Sequence, residues 1–413
     1  LAGLAVTGVV ALSVPPVHAA PPAALAENPD CAGVDAESPR EEVIADNLPY
    51  EALQVRAAHE LLEREGRAPG AGVTVVVVDT GVRADLVDDQ EVLRGTGEIP
   101  SPRGTVVAGI AAGADDGDLP IGVAPGADVV SLKVHDIGYA ADPDEELVEP
   151  SADAVASGLE WVRSRRSSLG DRIVVVVPLA VDRTPALASA VRGLDAAGVL
   201  VVAPGGDRSE PDAGSPLDGF AGEEGIPPGE NAVGEAWPAG FRSVLAVGAS
   251  PLGADASSSV AVQNSDVDVA APTYGGVSYG LNGSPCVVMT VSTEYAAAYV
   301  AGVAALVWSG RPADDADELR DRLVRTADGG TDPSAVSRAT GHGVVQPVEA
   351  LQRRTLPADG ARRDEVARRA EPPGAREDLL ASTRRDAVWW GLAGGTALVV
   401  ALLLRPVLAR RRR

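Results

Sequence analysis

Val73-Thr74-Val75-Val76-Val77-Val78 is a β-branched run that ends on Asp79-Thr80-Gly81. A strand with one wet face alternates apolar and polar residues. A strand this uniformly apolar is covered on both faces, as in a parallel sheet between layers of helices. Similar runs follow at 129–134, 173–177, 199–203 and 244–247, and helical patterns lie between several of them, at 152–163 and 186–197. Strands alternating with helices predict βαβ units, hence an α/β fold with a parallel sheet flanked on both faces. Functional side chains are then expected at the carboxyl ends of the strands. Aromatics make up only 3% of the 413 residues, so the core must be built from Val, Ala and Leu.

A formal net charge of −24 excludes the basic footprint that nucleic-acid binding requires. No Cys/His cluster has metal-ligand spacing, and neither metal nor cofactor is expected. Residues 1–19 form an apolar run closing on Val17-His18-Ala19, the pattern of a signal peptide whose own start is missing; cleavage is expected after Ala19, with an uncleaved tether as the alternative. At the other end, 387–404 is uncharged and, at about 1.5 Å per residue, spans about 27 Å, enough for a bilayer core. Trp389 and Trp390 stand where an interfacial belt would place them, and Arg405 and a terminal run of arginines follow. The expected order is therefore an N-terminal extension at 20–49, a folded domain at 50–353, a charged spacer at 354–385, a transmembrane helix at 386–405 and a basic tail at 406–413. An export signal places the domain outside a cell membrane crossed once, and the tail in the cytoplasm. In that oxidising exterior Cys31 and Cys286, the two cysteines, are expected to pair; two free buried thiols are the alternative. The stretch 53–65 has helical spacing.

Several motifs occur in a fixed order. After the strand ending at Asp79 come Arg103-Gly104-Thr105-Val106-Val107-Ala108-Gly109-Ile110, then Gly122-Val123-Ala124-Pro125-Gly126-Ala127, then Val267-Asp268-Val269-Ala270-Ala271-Pro272. The last is Ser292-Thr293-Glu294-Tyr295-Ala296-Ala297-Ala298-Tyr299-Val300-Ala301-Gly302. Together they resemble the subtilisin family of serine endopeptidases over about residues 50–350. The flanking signal, extension, spacer and membrane helix resemble the mycosins, subtilases associated with type VII secretion. That resemblance implies a subtilisin-like sheet, a Ser-His-Asp site and a type VII secretion membrane complex as partner. Family members often carry more than one disulfide; this chain can form only one.

The departures fall on the chemistry. The resemblance retains the triad Asp as Asp79, but places Arg103 at the general-base His, Glu294 at the nucleophilic Ser and Asp207 at the oxyanion Asn. Ser292 lies where the family has Gly, and Pro178-Leu179-Ala180 replaces the Ser-x-Gly of the substrate-pairing strand; proline cannot donate to a peptide ladder. A guanidinium has no acceptor for a proton, a carboxylate is a poor amide nucleophile, and a second acid offers an acceptor where a donor is needed. Hydrolysis is therefore expected to be lost. Asp79, Arg103 and Glu294 are instead expected to form an acid–base–acid cluster with both carboxylates ionised. The functional expectation is a non-catalytic, membrane-anchored partner in a secretion assembly. Its alternatives are an active serine endopeptidase processing secreted proteins, a hydrolase using Asp79 and Glu294 as paired carboxylates, and a peptide-binding module that keeps the cleft.

Overall fold

The computed structural model describes residues 28–140, 146–221, 226–251, 259–330 and 336–353, together with Trp389 and Thr396. The chain divides into two units, Leu1–Thr355 and Leu356–Arg413. The run 1–19 expected to be a signal peptide lies outside the described residues, as does the run 387–404 expected to cross a membrane, apart from those two helical residues. Among the described residues no helix is long and apolar enough to cross a membrane.

In the first unit the apolar runs become strands β1 (Thr74–Asp79), β3 (Asp128–Lys133), β4 (Ile173–Val176), β5 (Leu200–Pro204) and β6 (Val244–Ser250). With β2 (Asp89–Val92) and β7 (Val269–Pro272) they form a parallel sheet in the order β2-β3-β1-β4-β5-β6-β7. The helices packed on it include α3 (Arg103–Ala112), α4 (Ala152–Ser164), α6 (Pro185–Ala196) and α7 (Thr293–Gly310); the others are α1 (Leu48–Ala52), α2 (Val55–Arg64), α5 (Arg166–Leu169), α8 (Ala316–Thr326) and α9 (Pro347–Gln352). A hairpin of β8 (Gly276–Tyr279) and β9 (Pro285–Val288) stands apart from the sheet.

The uniform valines of β1 are explained by what they touch. Val75 and Val77 pack with α3 and α7 in one core, and Val76 and Val78 pack with α4 and α6 in the other. Each buried valine contributes about 1.5–3 kcal/mol relative to exposure. Helix α7 is apolar all round and buried from Ala296 to Ser309, as a helix must be when it has no wet face. The winding direction reverses at β1, which puts Asp79 at the switch point of the sheet.

The helical pattern at 53–65 is realised as α2, which begins after Gln54; the left-handed φ of 54° at Gln54 separates it from α1, which precedes the pattern. Cys31 and Cys286 form a disulfide across 255 residues, fastening the extension to β9. Residues 28–47 continue along the hairpin: Val287 N–H donates to Pro29, Leu281 N–H to Val34, and Asn282 to Ser38 and Pro39.

Candidate active site

Asp79 closes β1, Arg103 opens α3, and Glu294 is the second residue of α7 after its cap Ser292. Asp207 follows β5 by a short turn. Helix α3 docks close against the turn after β1: Gly104 N–H donates to Thr80 Oγ1 at 3.1 Å, and a Cβ on Gly104 would run into the carbonyl of Gly81. That close approach delivers Arg103 to Asp79. Arg103 Nε lies 3.0 and 3.2 Å from the Asp79 oxygens, and Nη2 donates to Oδ1 at 2.7 Å. Its Nη1 reaches Glu294 more loosely, at 3.4 and 3.5 Å. The three expected partners therefore meet, with Asp79 wholly buried, Arg103 14% exposed and Glu294 24% exposed.

The electrostatics divide the two acids. Burial alone would raise Asp79, but Arg103 and His135 outweigh it and hold the carboxyl below its usual range. For Arg103, burial works against the charge and the two carboxylates overcome it, so the guanidinium is more firmly protonated than usual. Glu294 corrects the expectation that both acids stay ionised. Burial, reinforced by the negative charges of Asp207 and Asp79, pushes it up to about 7 against the opposing pull of Arg103.

His135 is the member of the site that motif matching misses. It lies just past β3, beside the end of β1, and is fully buried. Its Nε2 is 3.1 Å from Asp79 Oδ1 and 3.3 Å from Arg103 Nη2, and its Nδ1 is 2.7 Å from the Ile137 carbonyl. A carbonyl only accepts, so Nδ1 carries a proton, and Nε2 either donates to Asp79 or accepts from Arg103. Both nitrogens are engaged. The available signal was position: a histidine at the carboxyl end of a strand adjoining the one that carries Asp79.

Ser292 is engaged as the cap of α7. Its Oγ donates to Asp207 Oδ2 at 2.5 Å and accepts from the N–H groups of Glu294 and Tyr295 at 3.1 and 3.5 Å, as a helix cap. Asp207 also accepts from Thr293 N–H and Oγ1, both at 2.8 Å, and from Glu294 N–H at 3.4 Å. Burial raises the Asp207 carboxyl in spite of these donors. Among the described residues no serine hydroxyl is hydrogen-bonded to a histidine nitrogen.

A cleft of about 150 Å³ remains over the cluster, bordered by Arg103, Tyr139, Ala180, Asp207, Leu217 and Glu294. None of the described residues of the extension borders it. Ladder bonding along β4 continues to Val177, whose N–H donates to Val202, and stops at Pro178. Tyr139 then reaches across the cleft, and its hydroxyl donates to the Ala180 carbonyl at 3.2 Å. An acceptor that a docking peptide could use is thereby taken. Among the described residues no group of three or more His, Cys, Asp or Glu side chains is placed to hold a metal ion.

The family model described as "Peptidase S8, subtilase family" matches residues 70–343. Mycosin-1 of Mycobacterium tuberculosis is 30% identical over 389 residues, 83% of this chain and 82% of that protein. Subtilisin DY of Bacillus licheniformis is 28% identical over 298 residues, 68% of this chain and 92% of that protein. Among solved structures, the MycP3 protease from the type VII (ESX-3) secretion system is 27% identical with a TM-score of 0.56, covering 79% of this chain and 92% of that one.

Proposed function

Because this chain belongs to the subtilase family, we propose that it is a mycosin-like member that has given up hydrolysis and serves as a non-catalytic component or partner of a type VII secretion assembly. The observation that carries this reading is the Arg103 fork on Asp79. Acyl transfer needs a base that accepts the nucleophile's proton, and a guanidinium held between carboxylates accepts none. Glu294 replaces a hydroxyl nucleophile with an acid, and the nearby imidazole of His135 has both nitrogens occupied. The partner class rests on similarity to a protease of a type VII secretion system that extends over most of both chains. The apolar run 387–404 and the arginines after it support a single membrane crossing, with the domain outside and the tail in the cytoplasm.

The competing reading, an active serine endopeptidase, is favoured by the activity in the relative's description as a protease. Two measurements on the full-length chain separate the readings. A fluorophosphonate probe of reactive serines is expected to leave the chain unmodified, and peptide substrates are expected to remain intact. Purification from native membranes is expected to bring secretion-channel proteins with it. Stoichiometric labelling of a serine, or migration without any such protein, would sink the corresponding half of the reading.

A further inference from the structure

Asp207 is bonded as a ligand would be. The first-turn N–H groups of a helix have no partners within the helix, and they carry the positive end of its dipole. In α7 the Thr293 N–H is given to Asp207 Oδ1, and the Glu294 N–H is shared between Asp207 Oδ2 and the Ser292 hydroxyl. The hydroxyls of Ser292 and Thr293 add two further donors to the same carboxylate. Thr293 Oγ1 is in turn fixed by the N–H of Gly206, so the turn after β5 and the start of α7 hold each other. The result is an anion seat at the head of α7, already filled by a side chain of this chain.

In serine acyl transfer the nucleophile's own N–H is one oxyanion donor, here the N–H of residue 294, and the resemblance implies a second donor from position 207. Here the first is engaged and the second is a carboxyl that accepts from its neighbours rather than donating. An oxyanion forming there would lose two donors and face an acceptor. This obstacle involves neither Arg103 nor the side chain of Glu294.

We propose that Asp207 is an internal ligand that locks the head of α7 against acyl transfer, independently of the changes at Arg103 and Glu294. The proposal rests on the reading of the chain as a degenerate subtilase. Restoring a base and a nucleophile is therefore not sufficient to restore hydrolysis.

The test compares Arg103→His/Glu294→Ser with the same pair carrying Asp207→Asn, in the full-length chain. The third change replaces an acceptor with a donor, and one oxyanion donor is worth about 10²–10³ in rate. The triple variant is expected to hydrolyse a small activated ester at least about 10-fold faster than the double variant, and to react faster with a fluorophosphonate. Equal rates in the two variants would overturn the proposal. If neither variant reacts, a second measurement decides. Asp207→Ala empties the seat, and formate is expected to raise its Tm more than chloride does at equal ionic strength, with no such difference in the unaltered chain. Absence of that rescue would also overturn the proposal. Hydrolysis by the unaltered chain would instead overturn the loss of activity on which the proposal rests, so the two failures are distinguishable.

Discussion

Arg103 and Asp79 are joined by a guanidinium fork, with Nη2 at 2.7 Å and Nε at 3.0 Å from the same carboxylate oxygen. The asymmetry with Glu294, whose oxygens lie at 3.4 and 3.5 Å, makes Asp79 the principal partner and Glu294 an outlying one. A buried charge keeps its ionised form only while such a partner is present.

Replacing Arg103 with Met leaves Asp79 buried, with His135 as its remaining charged or polar side-chain neighbour in the cluster. The expected cost is about 3–5 kcal/mol of unfolding free energy, the usual result of breaking one side of a buried pair. Adding Asp79→Asn to the same chain is expected to recover a large part of it. Urea denaturation of the single and double variants measures both; a single-variant loss below about 1 kcal/mol would contradict the fork's role.

Glu294 sets a pH dependence of definite sign. Its carboxyl is raised from an ordinary 4.5 to about 7 in the folded chain, so the folded state holds the proton more tightly than the unfolded one. The associated stability is present below about pH 4.5, is lost as pH rises toward about 7, and amounts to about 3 kcal/mol at most. Asp207, also raised, acts in the same sense, whereas the stability from the lowered Asp79 is present above about pH 3.8 and is lost only as the pH falls below it. Glu294→Gln is expected to flatten this limb. The difference in denaturation free energy between the unaltered chain and the variant should change across pH 4.5–7, and a constant difference would count against the raised carboxyl.

Tyr139→Phe removes the hydrogen bond from the Tyr139 hydroxyl to the Ala180 carbonyl. A loss of about 0.5–1.5 kcal/mol is expected, with faster amide exchange in the segment around Leu179. Unchanged exchange there would show that the hydroxyl does not brace this edge.

The Cys31–Cys286 bridge closes a very long loop, so reduction or Cys286→Ser is expected to cost about 2–5 kcal/mol. The loss should be accompanied by new proteolytic cleavage between residues 28 and 47, since β9 otherwise holds that segment. Limited proteolysis with and without reductant tests this; the same cleavage pattern in both would argue against it.

The sheet was legible because two-sided burial of a strand is a local property. Val75 and Val77 serve one core and Val76 and Val78 the other, and a run with no polar alternation has no other stable use. The short acidic β2 and the β8–β9 hairpin were not legible, because their pairing depends on partners distant in the chain. Gln54 also escaped, since its left-handed φ just before α2 leaves no periodic mark.

At the site, the sequence alone determined residue type, a covalent fact: an arginine, a glutamate and an aspartate stand at the positions that the resemblance assigns to base, nucleophile and oxyanion donor. Only the tertiary structure decided which of those groups meet and in what state. His135 beside Asp79, Asp207 at the head of α7 and a Glu294 carboxyl near neutrality all arise from desolvation and from donors brought together by folding. Those energies depend on distances of a few ångströms between residues far apart in the chain, and no local pattern encodes them.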